Sequence, residues 1–307
     1  MIALLASELR RARSRKLLKL LAVAALAGIV VGPGVFLAIK SHRPTPAVLA
    51  EAQARQRHEL QRCLHGKYFG PNNPPADLQQ ACEEVLPLEQ FIPVNEYTLV
   101  HLPETLQGVA PLVIVGGLLL GASLVGAEWH AGTITTLLTW ETRRVRVLLA
   151  KAVVAAFVTF VLMLALLAFL SLVLSLVAAT RGSTAGTDSA WLRATAGTVV
   201  RASAGSVIGS LLGFSIAMVG RNTSAALGFG FAYFAVLERL ISSWRPSWQP
   251  RLVGESMLTF VTGQAHALGR YPDQHVQGVV EAALVLCVYA AAAMTAAGAL
   301  FRSRDVN

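Results

Sequence analysis

Residues 118–151 read LLLGASLVGAEWHAGTITTLLTWETRRVRVLLAK, and this stretch decides the fold. An apolar, glycine-containing run ends at Glu128, and about a dozen mixed residues follow it. A basic cluster that ends at Lys151 then opens a second long apolar run. The pattern predicts two membrane helices joined by a short polar segment.

Two interpretations of the short polar segment are open. Ile134, Leu137 and Leu138 are spaced i, i+3 and i+4, so the segment can form a short helix with one apolar face. Such a face suits docking on a soluble partner. The alternative is a loop lying among lipid headgroups, with Trp129 and Trp140 as interfacial anchors.

The composition of the whole chain is that of a membrane protein. Of its 307 residues, 54% are hydrophobic and only 14% are charged. Soluble domains carry about a quarter charged residues. The net charge of +9 bears on membrane topology and lipid headgroups, because the sequence has no soluble basic domain that could hold nucleic acid.

The predicted fold is all-α and polytopic. An arginine-rich amphipathic helix over residues 1–17 is predicted to lie on the inner leaflet. Six apolar stretches are long enough to span a bilayer, at residues 18–39, 108–127, 148–180, 193–219, 224–243 and 278–300. The three longest of the five connecting segments are polar or mixed: a loop with a helical hairpin at residues 40–107, the turn at 128–147, and a re-entrant or interfacial segment at 244–277.

The distribution of basic residues predicts the orientation. With the N-terminus inside, the cytoplasmic pieces carry thirteen Lys and Arg against four acids, and the rest of the chain is neutral. The positive-inside rule therefore places both termini in the cytoplasm, in a plasma or inner membrane. Cys63 and Cys82 then lie outside on two arms of the hairpin, where a disulfide is the natural interpretation. The alternatives are two free thiols and a zinc site that also uses His65, although the spacing matches no strong metal signature.

No motif for catalysis occurs in the chain. A phosphate-binding loop, a nucleophile elbow and a zinc-binding HExxH are all missing, and the seven histidines lack ligand spacing. We therefore expect a chain that is not an enzyme, with no metal site and no cofactor of its own.

Two ionisable residues inside the predicted spans demand partners. Arg201 and Glu238 are predicted to lie at comparable depth, roughly 8–13 Å in from the outer ends of their spans. They are expected to approach each other or to line one outward cavity; the alternative is separate snorkelling to headgroups. The fourth span also carries a stripe that permits close helix packing, within the chain or between copies: Gly205, Gly209, Gly213 and Ala217.

Several stretches together resemble a known family, the membrane subunit of type-2 ATP-binding-cassette transporters. The most specific is the string Gly126-Ala127-Glu128 … Gly132-Thr133 … Leu137-Leu138-Thr139 … Arg143-Arg144 … Lys151. The turn Met218-Val219-Gly220-Arg221-Asn222-Thr223, Glu238, and the hydropathy of nearly the whole chain complete the likeness. The outer loop of some 65 residues departs from it, because many relatives have a shorter one.

The resemblance implies a role for each inner segment. The N-terminal helix would be the connecting helix, and residues 128–140 the coupling helix that inserts into a separate ATPase. Arg143, Arg144 and Lys151 would anchor its exit to the inner headgroups. Its contacts to the ATPase would come from Glu128, Trp129, Gly132, Thr133, Ile134, Leu137, Leu138 and Trp140.

The implied function is that of an exporter permease. It would face a second permease, identical or not, around the path of an amphipathic substrate such as a drug, an antibiotic or a lipid-like compound. ATP and Mg²⁺ would bind to the partner ATPase. Two other classes stay open: an ion-coupled secondary transporter, of whose internal repeat we find no sign, and a non-transporting anchor or sensor that displays the outer hairpin.

Overall fold

A computed structural model of the chain describes residues 2–35, 37, 45–65, 77–91, 97–134, 143–264 and 277–303. These residues are almost entirely helical and contain no β-strand; Thr98 and Ser183 form an isolated bridge. Six helices among them are long and apolar enough to cross a membrane: Leu18–Val35, Leu99–His130, Arg144–Arg181, Ser189–Gly220, Thr223–Trp244 and Val279–Ser303. The predicted all-α, multi-pass class is confirmed.

We number the α-helices of the described residues in chain order. They are α1 Ile2–Ser14, α2 Lys16–Ile29, α3 Pro46–Leu64, α4 Leu78–Val85, α5 Leu102–His130, α6 Arg144–Arg181, α7 Ser189–Gly220, α8 Thr223–Ala232, α9 Glu238–Trp244, α10 Val253–Thr262 and α11 Val279–Ser303. A π-helical stretch, Val30–Val35, follows α2, where Pro33 lacks the N–H that a regular helix needs. Another, Tyr233–Leu237, joins α8 to α9 within one span.

The contacts divide the chain into two compact units. The first comprises Met1–Ala27, His101–Ser171 and Asp188–Asn307, and the second comprises Gly28–Val100 and Leu172–Thr187. In the first unit we call the end formed by α1, His130, Arg144 and Gly220 the inner end, and the opposite end, which carries α10, the outer end.

Helices α5 and α7 form the centre of the first unit. Glycines let their backbones touch: a Cβ at Gly117 or Gly121 would overlap the carbonyl oxygen of Ser206 or Ser210. In return, a Cβ at Gly213 would overlap the carbonyl oxygen of Leu118. The glycine stripe of the fourth span therefore packs within the chain. Among the six spans α7 is the most buried: 61% of the residues in its 18-residue apolar window are buried, against at most 39% in the other spans.

The second unit contains the disulfide hairpin, which we define as α3 and α4. Pro46 occupies the first turn of α3, and the Asp77 carboxylate caps α4 by accepting from the backbone N–H of Gln80 at 3.1 Å. Cys63 and Cys82 form a disulfide with their Cα atoms 6.0 Å apart. Both cysteines are buried together with Leu86, so the bond lies in a small apolar core.

The α5–α7 contact is testable by adding one methyl group. We expect Gly121→Ala to destabilise the protein by about 2 kcal/mol, because the new Cβ must push two backbones apart. The matched control is Gly298→Ala in α11, where nothing lies within 4 Å of the added Cβ, so it should be neutral or slightly stabilising. Thermal unfolding in detergent measures both, and equal effects of the two substitutions would contradict the contact.

The disulfide is testable by mass spectrometry of unreduced protein. We expect a peptide that links Cys63 to Cys82 and one alkylated thiol, at Cys287. Replacing both linked cysteines by serine should destabilise the hairpin by about 3 kcal/mol, since the bond closes a loop with a sequence separation of 19. Free alkylation of Cys63 and Cys82 in protein isolated from its native membrane would contradict the pairing.

Candidate functional site

Four charged side chains meet at the inner end of the first unit. Lys151 Nζ lies 2.8 Å from Glu8 Oε2 and 2.6 Å from Glu128 Oε2. Arg15 Nη2 lies 2.6 Å from Glu128 Oε1. We call these four residues the inner charge cluster; Arg11, which is 53% exposed, adds a further positive charge beside it, with Nη1 3.3 Å from Glu8 Oε1.

The cluster connects three separate parts of the chain. Glu8 lies on α1, Arg15 lies between α1 and α2, Glu128 lies in the last turn of α5, and Lys151 lies near the start of α6. Arg15 also donates to the carbonyl oxygen of Ser123 on α5 at 3.0 Å. The N-terminal helix is therefore bound to the ends of α5 and α6 by charge-assisted hydrogen bonds.

Helix α1 contacts the protein with only part of the apolar side that the sequence predicts, which comprises Ile2, Leu5, Leu9 and Ala12. Ala12 is buried, as expected, but the side chain of Leu9 is 40% exposed. Glu8, which does not belong to that apolar side, is also buried. An acid two residues before a run of arginines looks solvated in the sequence, which gives no sign that Glu8 is buried.

The burial of the cluster makes its pairing obligatory. Lys151 is 5% exposed and Glu8 is 6% exposed, whereas Glu128 is 12% exposed. A charge at such a position costs several kcal/mol of desolvation, which only its partners offset. The cluster therefore fixes which helix ends lie together more than it adds net stability.

The structure corrects part of the predicted headgroup anchor. Lys151 does not face headgroups, because its ammonium is buried between Glu8 and Glu128. Arg144 donates to the carbonyl oxygens of Phe301 at 3.2 Å and Arg302 at 3.5 Å, so it caps the C-terminal end of α11. The third predicted anchor, Arg143, is exposed, and its side chain forms no comparable contact with the described residues.

Trp129 is the centre of an aromatic cluster beside the charged one. Its Nε1 donates to Met218 Sδ at 3.4 Å, and its ring meets that of Phe301 edge-on with centroids 6.3 Å apart. The guanidinium of Arg221 lies 4.9 Å from the centre of the Trp129 ring, as in a cation–π contact. Trp129 is thus held by α7, α11 and the turn before α8, and spacing in the sequence gave no sign of these partners.

The segment after α5 begins as a glycine-dependent turn. Gly132 has φ +65°, the left-handed conformation that ends many helices, and Thr133 Oγ1 donates to the carbonyl of Glu128 at 3.3 Å. Ile134 is buried in an apolar cluster that includes Phe214, so it faces the protein's own core and cannot share an exposed docking face. Leu137, Leu138 and Trp140 lie outside the described residues, as does the whole C-terminal part, residues 135–140, of the predicted coupling helix at residues 128–140.

The two stretches that carry the family resemblance lie against each other. A Cβ at Gly126 would overlap Thr223 Oγ1, so the end of α5 contacts the turn between α7 and α8. Arg221 in that turn has φ +53°, a left-handed conformation that is uncommon outside glycine. Glu128 is already bound by Arg15 and Lys151, and its contact with an ATPase stays a prediction.

At the outer end, the predicted pairing of Arg201 with Glu238 is wrong. The Glu238 carboxylate accepts from the backbone N–H of Gly254 at 2.7 Å, in the first turn of α10. The Arg201 guanidinium donates to the carbonyl of Val261 at 3.2 Å, in the last turn of the same helix. Each charge meets the end of the helix dipole that favours it, so a short helix between the residues satisfies both.

Helix α10 is the apolar middle of the predicted re-entrant segment. Its ten residues, Val253–Thr262, span about 15 Å, half of a bilayer core. Gly263 ends it with φ +71°, close to the Arg201 guanidinium, with which a Cβ at this position would clash. The helix is therefore fixed at its first turn by Glu238 and at its last by Arg201.

A cavity of about 760 Å³ lies beside α10. Its walls come from α5, α7, the span that contains α8 and α9, and α10. Most of the lining is apolar, and the polar residues come from the outer ends of these helices: Gln107, Glu238, Arg239, Ser242 and Glu255. Among the described residues, Glu238 lines the cavity and Arg201 does not, so the two do not share it.

The described residues contain no group of three His, Cys, Asp or Glu side chains that could hold a metal ion. In the first unit, charged groups come together with a definite geometry at the inner charge cluster and at the outer cavity. The first can transmit force between helix ends, and the second can hold a ligand.

The inner charge cluster is testable through one of its members. We expect Lys151→Met to destabilise the protein by on the order of 3 kcal/mol, because two buried carboxylates lose their shared cation. The control is Glu51→Gln, which breaks a pair with Arg55 whose side chains are 64% and 62% exposed and should cost at most about 0.5 kcal/mol. Thermal unfolding in detergent compares them; a Lys151→Met protein as stable as the control would refute the cluster.

Comparison of the chain with models of protein families, with characterised proteins and with solved structures finds no match. The likeness to transporter permeases therefore rests on residues of this chain alone. Function has to be argued from the inner charge cluster, the aromatic cluster around Trp129 and the outer cavity.

Proposed function

We propose that the chain is the permease subunit of an ATP-binding-cassette exporter, driven by a separate cytoplasmic ATPase. In this proposal both termini are cytoplasmic, and a second permease completes the translocation path. ATP and Mg²⁺ bind to the partner, and this chain supplies the path and the surface that receives the ATPase.

The inner charge cluster is the observation that carries the proposal. The segment at residues 131–143 leaves α5 beside Glu128 and enters α6 shortly before Lys151, and those two side chains are bound to each other. A partner that displaces this segment therefore moves α5, α6 and α1 as one body. Such a linkage is what an ATPase needs in order to change the arrangement of membrane helices.

The aromatic cluster extends the same linkage to the remaining spans. Trp129 follows Glu128 directly and contacts Met218 on α7, Arg221 before α8, and Phe301 on α11. In this proposal, motion of the C-terminal end of α5 is thus transmitted to the inner ends of three further helices. A chain that only anchored the disulfide hairpin would not require this connection.

The outer cavity supports an amphipathic substrate. Ligand sites are concave, of about 300–1,000 Å³, and mostly apolar with a few polar groups. The cavity of about 760 Å³ meets each of these criteria. Its apolar walls suit the body of a drug-like or lipid-like molecule, and its polar rim suits a headgroup.

Copurification tests the partner. We expect the full-length chain, isolated in mild detergent from its native membrane, to carry a cytoplasmic ATPase whose activity rises when an amphipathic compound is added. Leu137→Asp should reduce that activity at least about tenfold, because it places a charge on the predicted docking face. The control is Leu192→Asp, the same change at a 61% exposed residue in the first turn of α7.

Two results would contradict the proposal. A chain that carries no ATPase and moves substrate in vesicles along an ion gradient would be a secondary transporter. A chain that neither carries an ATPase nor moves substrate would be an anchor or sensor. Full stimulated activity in Leu137→Asp would contradict the docking face while leaving the exporter assignment in place.

A further inference from the structure

The outer cavity contains a carboxylate that has no cationic partner among the described residues. Glu238 accepts from the Gly254 N–H at 2.7 Å, and Arg201, the cation expected to pair with it, is bound to Val261 instead. Arg239 follows Glu238 in the chain but forms no ion pair with it. Ionisable side chains within a span are costly, and they commonly mark a site for a ligand or ion.

We propose that this cavity binds an amphipathic cation, with the positive charge at Glu238 and the apolar body against α5 and α8. An amphipathic cation is thus the substrate class for the proposed exporter, and the claim that the chain transports such a cation rests on that proposal. The claim that the chain binds such a cation rests on the cavity alone.

The acceptor capacity of Glu238 supports a cationic ligand. The two oxygens of a carboxylate can accept about four hydrogen bonds, and backbone N–H groups at the start of α10 use only part of that capacity. These N–H groups hold the carboxylate in place beside the cavity without neutralising its charge. A cation can therefore interact with the oxygens that remain, through hydrogen bonds if it carries N–H donors and through charge attraction if it does not.

The charges of the lining select against an anion. Glu238 and Glu255 are the acids that line the cavity, and Arg239 is the base, so the formal charge of the lining is −1. Arg239 is exposed, whereas Glu238 is half-buried. The negative charge thus acts in the less polar part of the site, where electrostatic attraction is stronger.

The apolar lining suits a body with aromatic rings. Phe231 and Phe234 lie on the cavity wall contributed by α8 and the π-helical stretch that follows it. Met257 on α10 faces the same space and is an adaptable contact for ligands of varied shape. Aromatic faces also attract cations, which reinforces the preference set by Glu238.

The test uses two probes of nearly equal size and opposite charge, tetraphenylphosphonium and tetraphenylborate. Equilibrium binding is measured on the full-length chain in lipid nanodiscs, without any ATPase, and binding to empty nanodiscs is subtracted. We expect tetraphenylphosphonium to bind at least about tenfold more tightly than tetraphenylborate. Glu238→Gln should abolish that difference, whereas Glu281→Gln, an acid on α11 outside the cavity lining, should leave it unchanged.

A second pair of variants tests the location through volume. Val115 lines the cavity, so Val115→Trp should weaken tetraphenylphosphonium binding at least about tenfold by filling the space. Leu112 lies on the same helix outside the lining and is 73% exposed, so Leu112→Trp is the control and should bind normally. In the two-probe test, retained binding of tetraphenylborate shows that the Glu238→Gln protein is folded.

Three results would overturn the proposal. The first is equal binding of the two probes to the native chain, and the second is undiminished discrimination in Glu238→Gln. The third is efficient cross-linking of a cysteine at position 115 to the same position of another chain, which would mean that a second copy covers the cavity. Discriminating binding with no copurified ATPase would refute only the exporter; an ATPase without such binding would refute only the substrate class.

Discussion

The close approach of α5 and α7 is the contact on which the first unit depends. In a membrane, apolar side chains gain little by leaving lipid for one another, so helices associate through van der Waals contact and polar interactions. Gly121 and Gly213 allow backbone atoms of the two helices to touch, which maximises that contact. Thr159 Oγ1 of α6 then donates to Ser210 Oγ at 3.0 Å, which joins α6 to this pair of helices. The other helices of the unit assemble around this pair.

Charges at the two ends of the unit are accommodated in different ways. At the inner end, side chains neutralise one another: Lys151 bridges Glu8 and Glu128. At the outer end, Arg201 and Glu238 use backbone groups at opposite ends of α10. The first arrangement saturates its charges and suits a rigid mechanical link. The second leaves Glu238 able to interact further, which suits a site that binds and releases a ligand.

Apolar runs, glycine spacing and cysteine placement were informative because each acts locally. Six spans follow from the lengths of the hydrophobic runs alone, since no backbone polar group can be left unsatisfied in lipid. The glycine stripe of α7 could likewise be recognised as a packing face, because its spacing repeats within a few turns, although the sequence did not say which helix it contacts. The predicted partner of Arg201 was wrong because depth in the membrane restricts possible partners without choosing one.

The sequence by itself determined the all-α membrane class of the protein and its six spans, since these depend on the solvent preference of each residue. Tertiary structure alone decided that Glu8 binds Lys151, that Trp129 contacts α7 and α11, and that α10 separates Arg201 from Glu238. Each of these contacts joins residues distant in the chain, and which side chains meet is set by how the helices rotate and approach. Hydropathy and spacing describe one helix at a time and contain no information about that rotation.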